Sequence, residues 1–176
     1  MQPRIFKFDN WVIEDYYWDD EDVVIPETID WETVIQIGDR AFFEKNIKSV
    51  KLPATLKFIW KEAFKLNQIE DIELPDWIIK IDDWAFEFNN IKKVILPDSL
   101  FVIWRWSFSS NKIETLKLSK NLTFIPAWAF WGNKIEYLEI PSNIVKIYGA
   151  FAKNKLKEVV FCGDKITSIW GGEFSF

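Results

Sequence analysis

Apolar positions in this chain return every 22 residues. Ile37, Ile59, Ile81, Ile103, Ile125, Ile147 and Ile169 form one column. Five residues on stand Phe42, Phe64, Phe86, Phe108, Phe130 and Phe174, with Phe151 one place early. A period of this length marks stacked repeats, because each unit is too small to bury its own apolar face and neighbours must do it.

Each repeat has three parts. The first, such as Leu56-Lys57-Phe58-Ile59, alternates and predicts a short strand. The second, such as Lys61-Glu62-Ala63-Phe64-Lys65, is rich in helix formers and long enough for one or two helical turns. Asn67, Asn89, Asn111 and Asn133 follow it, as suits a turn where left-handed backbone is tolerated. The third, such as Ile69 to Leu74, predicts another strand, ended by proline at 53, 75, 97 and 141 because proline cannot donate to a ladder. Repeat six lacks one residue before Phe151 and gains one before Ile166, which predicts a local bulge.

Residues 1–34 fall outside this frame. Ile5 to Phe8 predicts a strand, Asp9-Asn10 a turn, Val12-Ile13 a second strand and Val23 to Pro26 a third. An open solenoid end must be covered, so 1–34 is expected to be an N-terminal cap. Six repeats then fill 35–166, and a half repeat, 167–176, finishes a single domain. The expected fold is α/β but β-rich: a right-handed solenoid of short parallel strands and short helical turns.

Composition narrows the chemistry. Net charge is −5 with a pI near 4.9, which argues against a general nucleic-acid binder. There is no histidine, the commonest general base and metal ligand. Cys162 is the single cysteine, so no internal disulfide or cysteine metal cluster can form; its apolar neighbours Val159, Val160 and Phe161 predict a buried thiol. Asp19 to Asp22 lacks the spacing and glycine of a calcium loop and reads as a solvated acidic turn. Carboxylates recur at repeat offsets and no nucleophile has an activating base, so no catalytic residues, metal or cofactor are expected. No apolar run reaches the ~20 residues of a membrane span, and the first residues show no signal-peptide apolar region.

Ile37-Gly38-Asp39-Arg40-Ala41-Phe42 and Leu96-Pro97-Asp98-Ser99-Leu100 carry a resemblance, as does the lead-in Val23-Val24-Ile25-Pro26 through Ile29-Asp30-Trp31. The spacing of Ile69, Ile72 and Leu74 matches the L-x-x-L-x-L half of a leucine-rich repeat. The chain resembles the BspA-type leucine-rich repeats of bacterial surface proteins over nearly its whole length. The resemblance implies adhesion or protein binding at a cell surface or in secreted form, and brings no catalytic residues. It also implies glycine after the repeated isoleucine, where Gly38 is joined by Trp60, Trp104 and Trp170, and two residues before the phenylalanine, where Trp84, Trp106 and Trp128 stand. Trp11, Trp18 and Trp31 fall where that family's cap commonly has glycine.

Two surfaces are candidate sites. Outward strand positions are Lys48, Lys51, Glu70, Glu73, Lys92, Lys93, Glu114, Lys117, Glu136, Tyr137 and Glu139. Such a face is the usual partner surface of a solenoid. Lys48, Glu70, Lys92 and Glu114 also alternate in sign, which suits lateral pairing that holds register; the two roles are compatible. The row Trp84, Trp106 and Trp128 has three readings: an exposed aromatic strip for sugar rings, core packing, or glycine codons written as tryptophan. The chain holds 11 tryptophans and 6 glycines, against a usual glycine share of ~7%. The third reading expects outward indoles or positive φ. The expected function is a monomeric, non-catalytic module for a protein partner, with carbohydrate binding through the strip as the alternative.

Overall fold

The computed structural model describes residues 5–170. Among these described residues seventeen short strands follow one another: β1 Phe6–Asp9, β2 Val12–Tyr16, β3 Asp22–Val24, β4 Thr28–Ile29, β5 Glu32–Thr33, β6 Gln36–Ile37, β7 Ser49–Lys51, β8 Phe58–Ile59 and β9 Lys80–Ile81. β10 Lys93–Ile95, β11 Val102–Ile103, β12 Thr115–Lys117, β13 Phe124–Ile125, β14 Tyr137–Ile140, β15 Lys146–Tyr148, β16 Glu158–Phe161 and β17 Ser168–Trp170 complete the order. The expected short strands are parallel. One ladder joins β2, β6, β8, β9 and β11 and another β13, β15 and β17, with Ile37 beside Ile59, Ile59 beside Ile81 and Ile125 beside Ile147. A second row pairs β3 with β7, β10 with β12 and β14 with β16. In the second repeat this row shrinks to a single bridge, Asp71 to Lys93.

The expected helical turns do not form. Among the described residues there is no helix, and residues 39–42 and their counterparts 61–64, 83–86, 105–108 and 127–130 are turns. The backbone explains why. Arg40, Glu62, Trp84, Trp106 and Trp128 have φ of +56° to +60°, and four residues on Glu44, Leu66, Phe88, Ser110 and Gly132 have φ of +53° to +68°. A left-handed residue every fourth position breaks a right-handed helix whatever its helix propensity. The N–H groups alternate instead. Those of Ala63 and Lys65 bond three residues back, while those of Glu62, Phe64 and Leu66 donate to Asp83, Ala85 and Glu87 of the next turn. The turn segment is therefore a third inter-turn ladder made of turns.

The interior is columnar. Phe42, Phe64, Phe86, Phe108, Phe130 and Phe151 are fully buried, and their rings stack 4.9 to 5.7 Å apart. Ile81, Ile91, Val94 and Leu96 are buried in the same core as Phe86, as the periodicity predicts. Phe174 lies outside the described residues. The missing residue of repeat six is absorbed in the turn: Phe151 keeps its place in the stack and Ile147 stays beside Ile169, so no bulge interrupts that ladder.

The asparagines do more than turn the chain. Asn67, Asn89, Asn111 and Asn133 are buried, and the left-handed residue is the one before each of them. The Asn111 Oδ1 accepts the Ile91 N–H at 3.1 Å, and its Nδ2 donates to the Phe86 and Phe108 carbonyls at 2.9 and 3.2 Å. Asn67, Asn89, Asn133 and Asn154 repeat the arrangement. Each side chain thus satisfies buried backbone groups of two successive turns, which would otherwise be left without partners.

The proline corners work as expected. Each of Pro53, Pro75, Pro97 and Pro141 accepts an N–H from three residues on, at 3.0 to 3.2 Å, turning the chain after the strand. At the N-terminal end β1 lies antiparallel to β2, and β4 pairs with β5 in a second hairpin that the sequence pattern does not reveal.

Candidate binding face

The second row of strands presents the candidate residues. Val50, Val94, Leu116 and Leu138 point inward, and alternation along a strand sends their neighbours out. Lys48, Lys51, Glu70, Glu73, Lys92, Lys93, Glu114, Lys117, Glu136, Tyr137 and Glu139 are all exposed. Parallel pairing brings Lys93 beside Thr115, Ile95 beside Lys117 and Tyr137 beside Glu158.

Charge pairing on this face is selective. The Lys48 Nζ lies 2.6 Å from Glu21, the Lys92 Nζ 2.6 Å from Glu70, and the Lys157 Nζ 2.7 Å from Glu136. Each lysine reaches back to the acid of the preceding turn, so pairs join turns two by two. The hydrogen bond to Lys92 holds the Glu70 carboxyl below its ordinary pKa, and Lys157 does the same for Glu136. Glu21 takes part although it lies in the N-terminal segment; its distance of 27 residues from Lys48 hides it from a 22-residue search. Its neighbours are tied in as well, Asp20 accepting from the Tyr16 hydroxyl and Asp22 from the Ser49 hydroxyl.

Where the second repeat fails to form a strand, the face is hollowed. One depression is lined by Asp22, Val24, Lys51, Asp71, Glu73 and Trp77; an adjoining one shares Asp71 and Glu73 and runs on to Lys93, Ile95 and Lys117. Val24, Ile95, Tyr137 and Phe161 are exposed apolar surface among these charges.

Cys162 corrects an expectation. Its thiol is exposed, not buried, because it follows β16 at the end of the second row. The Sγ–H donates to Glu139 at 3.3 Å, and that bond pushes the thiol pKa up, with local desolvation and the carboxylate charge adding to it. A raised pKa leaves less thiolate for attack or metal binding.

The tryptophan row lies on the turn edge. Trp128 is exposed and stacks on Trp106 with ring centroids 4.7 Å apart, while Trp131 meets Trp106 edge-on. Trp84 is half-buried, with Lys61 and Lys65 over its ring. Lys65 also pairs at 2.8 Å with the buried Glu87, which accepts from the Ser109 hydroxyl at 3.0 Å. The rings therefore make one stacked pair and one separate indole beneath lysines.

Parallel ladders, a stacked phenylalanine column and an exposed strand face define a leucine-rich solenoid. The sequence profile described as BspA type Leucine rich repeat region matches residues 35–159 in six copies, and the chain belongs to that family. Its fold is similar to the crystal structure of the T. pallidum leucine-rich repeat protein TpLRR, at 23% identity over 96% of this chain and 85% of that one, with a TM-score of 0.80. A leucine-rich cell surface protein from Faecalibacterium prausnitzii is 14% identical over 95% of this chain and 74% of that one, with a TM-score of 0.46. A leucine-rich repeat protein from Bacteroides ovatus is 13% identical over 93% and 73%, with a TM-score of 0.42. No curated protein sequence matches the chain.

Proposed function

We propose that the chain is a non-catalytic module that binds a protein partner through the second-row strand face. The carrying observation is the contrast on that face between conserved geometry and varied chemistry. The strand backbone recurs at β7, β10, β12 and β14, yet its outward residues change from Ser49 and Lys51 to Lys93 and Ile95, then Thr115 and Lys117, then Tyr137 and Glu139. A rigid, extended surface carrying unlike side chains suits selective recognition of a partner. The hollows beside Glu73 and Ile95 give that surface relief. The reading includes an N-terminal cap at 1–34, repeats over 35–166, a half repeat at 167–176 and a monomer. It takes the coil as right-handed, the hand of nearly all parallel strand connections, and places the protein at a cell surface or in secreted form, as in the family.

The test is a pull-down of surface and extracellular proteins beside a glycan array, using the chain and two variants. Capture of a protein that is lost in Lys93→Glu/Lys117→Glu and kept in Trp106→Ala supports the proposal. Glycan binding that is lost in Trp106→Ala supports a carbohydrate-binding module instead.

A further inference from the structure

Five tryptophans share a backbone conformation that their side chain disfavours. Trp11, Trp31, Trp84, Trp106 and Trp128 have φ of +64°, +71°, +58°, +60° and +59°. Bulky residues are genuine outliers there, whereas glycine enters at no steric cost. Tryptophan is 11 of 176 residues in the chain, yet it supplies five of the fifteen left-handed non-glycine residues among the described ones. Placement by abundance alone would give about one, and sites that select against large rings should hold fewer still.

The local motifs point the same way from two unrelated parts of the molecule. Asn10-Trp11 is the two-residue loop between β1 and β2, with φ of +46° and +64°. Asp30-Trp31 is the two-residue loop between β4 and β5, with φ of +50° and +71°. Two positive φ angles in a two-residue hairpin loop are the mark of a type I′ turn, whose leading sequences are Asn-Gly and Asp-Gly. Both loops carry the expected first residue and tryptophan where the second should be glycine. The Trp31 side chain is 100% exposed, so no packing explains it.

In the repeats, the three remaining tryptophans stand two residues before the buried phenylalanine. Repeat six has a glycine there: Gly149, with φ of +58°, precedes Phe151 by two. Gly132 fills the other left-handed column at +68°. The fold thus shows glycine in the conformation that the tryptophans adopt.

We propose that the native polypeptide carries glycine, not tryptophan, at positions 11, 31, 84, 106 and 128. The mechanism is decoding: UGA is tryptophan in some genetic codes and glycine in others, and these five codons are UGA in a cell that reads it as glycine. The idea stands apart from the choice of partner, but it removes the aromatic strip as a ligand surface. The turn edge of the native molecule is then a row of glycine turns, and recognition falls to the strand face. Trp60, Trp104 and Trp77 have no positive φ, so for them the backbone makes no such demand; they follow only if their codon is the same.

The test is peptide mass spectrometry of the protein purified from the cells that naturally make it, alongside the sequence of its gene. Glycine in the peptides spanning all five positions, encoded by UGA, is the expected result. Tryptophan in those peptides, or UGG at these codons, overturns the proposal. The near-ultraviolet absorbance of the native protein gives an independent reading, since it falls with each indole replaced and stays at the eleven-indole value if none is.

Discussion

Two columns of the same repeat stand two residues apart and are filled in opposite ways. Phe42, Phe64, Phe86, Phe108, Phe130 and Phe151 are one residue type, buried and stacked. Two residues earlier the chain places Arg40, Glu62, Trp84, Trp106, Trp128 and Gly149, all with positive φ. The first column is selected for a side chain: a ring of fixed volume must meet the ring above and below it. The second is selected for a backbone angle, and the side chain points out of the way. The difference teaches that a repeat can be strict in two separate senses, only one of which shows as a recurring letter.

The comparison breaks most severely in the interior. Phe86→Ala should lower unfolding free energy by about 3–5 kcal/mol, through lost burial and a cavity between Phe64 and Phe108. Denaturant titration measures it, and a loss below about 1 kcal/mol would mean that the ring is not a structural member of the stack.

The asparagine column comes next. Asn111→Ala leaves the Ile91 N–H and the Phe86 and Phe108 carbonyls short of a buried partner. Unsatisfied buried groups set the expected loss at about 2–3 kcal/mol. Hydrogen exchange should locate the damage at Ile91, whose amide then exchanges faster than that of Ile69, held by Asn89.

The smallest effect belongs to the outer face. Glu70→Lys sets two lysines against each other where Glu70 now meets Lys92. It should destabilise slightly at low salt and hardly at all at high salt, since both groups are exposed to solvent. The pH sign follows from the lowered Glu70 pKa: the pair's contribution is present above the ordinary carboxylate value and fades as pH falls through the depressed one. The variant should therefore differ most from the parent near neutrality and less in acid, where the parent's pair is lost and only the repulsion between the variant's two lysines remains.

What the sequence made legible follows the same division. The isoleucine, phenylalanine and strand columns repeat as letters, so the parallel stacking and the core could be read directly. The proline corners and the first three strands were equally visible. The exposure of Lys93, Glu139 and the rest of the strand face followed from alternation. The asparagine role was half visible: the letter recurred, but its bond to the turn before spans 20 residues for Asn67 and Ile47 and leaves no local signal. The left-handed columns were half visible: the glycine reading of Trp84, Trp106 and Trp128 expects positive φ there, but Arg40, Glu62, Leu66 and Phe88 are ordinary helix or strand formers and nothing in their identity announces it. That is why helical turns were expected where turn ladders form. Cys162 was misplaced because its apolar neighbours suggested burial, while the exposed end of the second row was not readable.

The central claim is that the position two residues before each phenylalanine is set by backbone and not by side chain. The direct measurement is the stability of Trp84→Gly against Trp84→Ala in denaturant. Both variants remove the indole and its contacts with Lys61 and Lys65, so their difference isolates the backbone. The account predicts that the glycine variant is more stable by about 1 kcal/mol, because alanine resists the left-handed region and glycine does not. An alanine variant equal to or more stable than the glycine variant, the order found in ordinary helices, would contradict it.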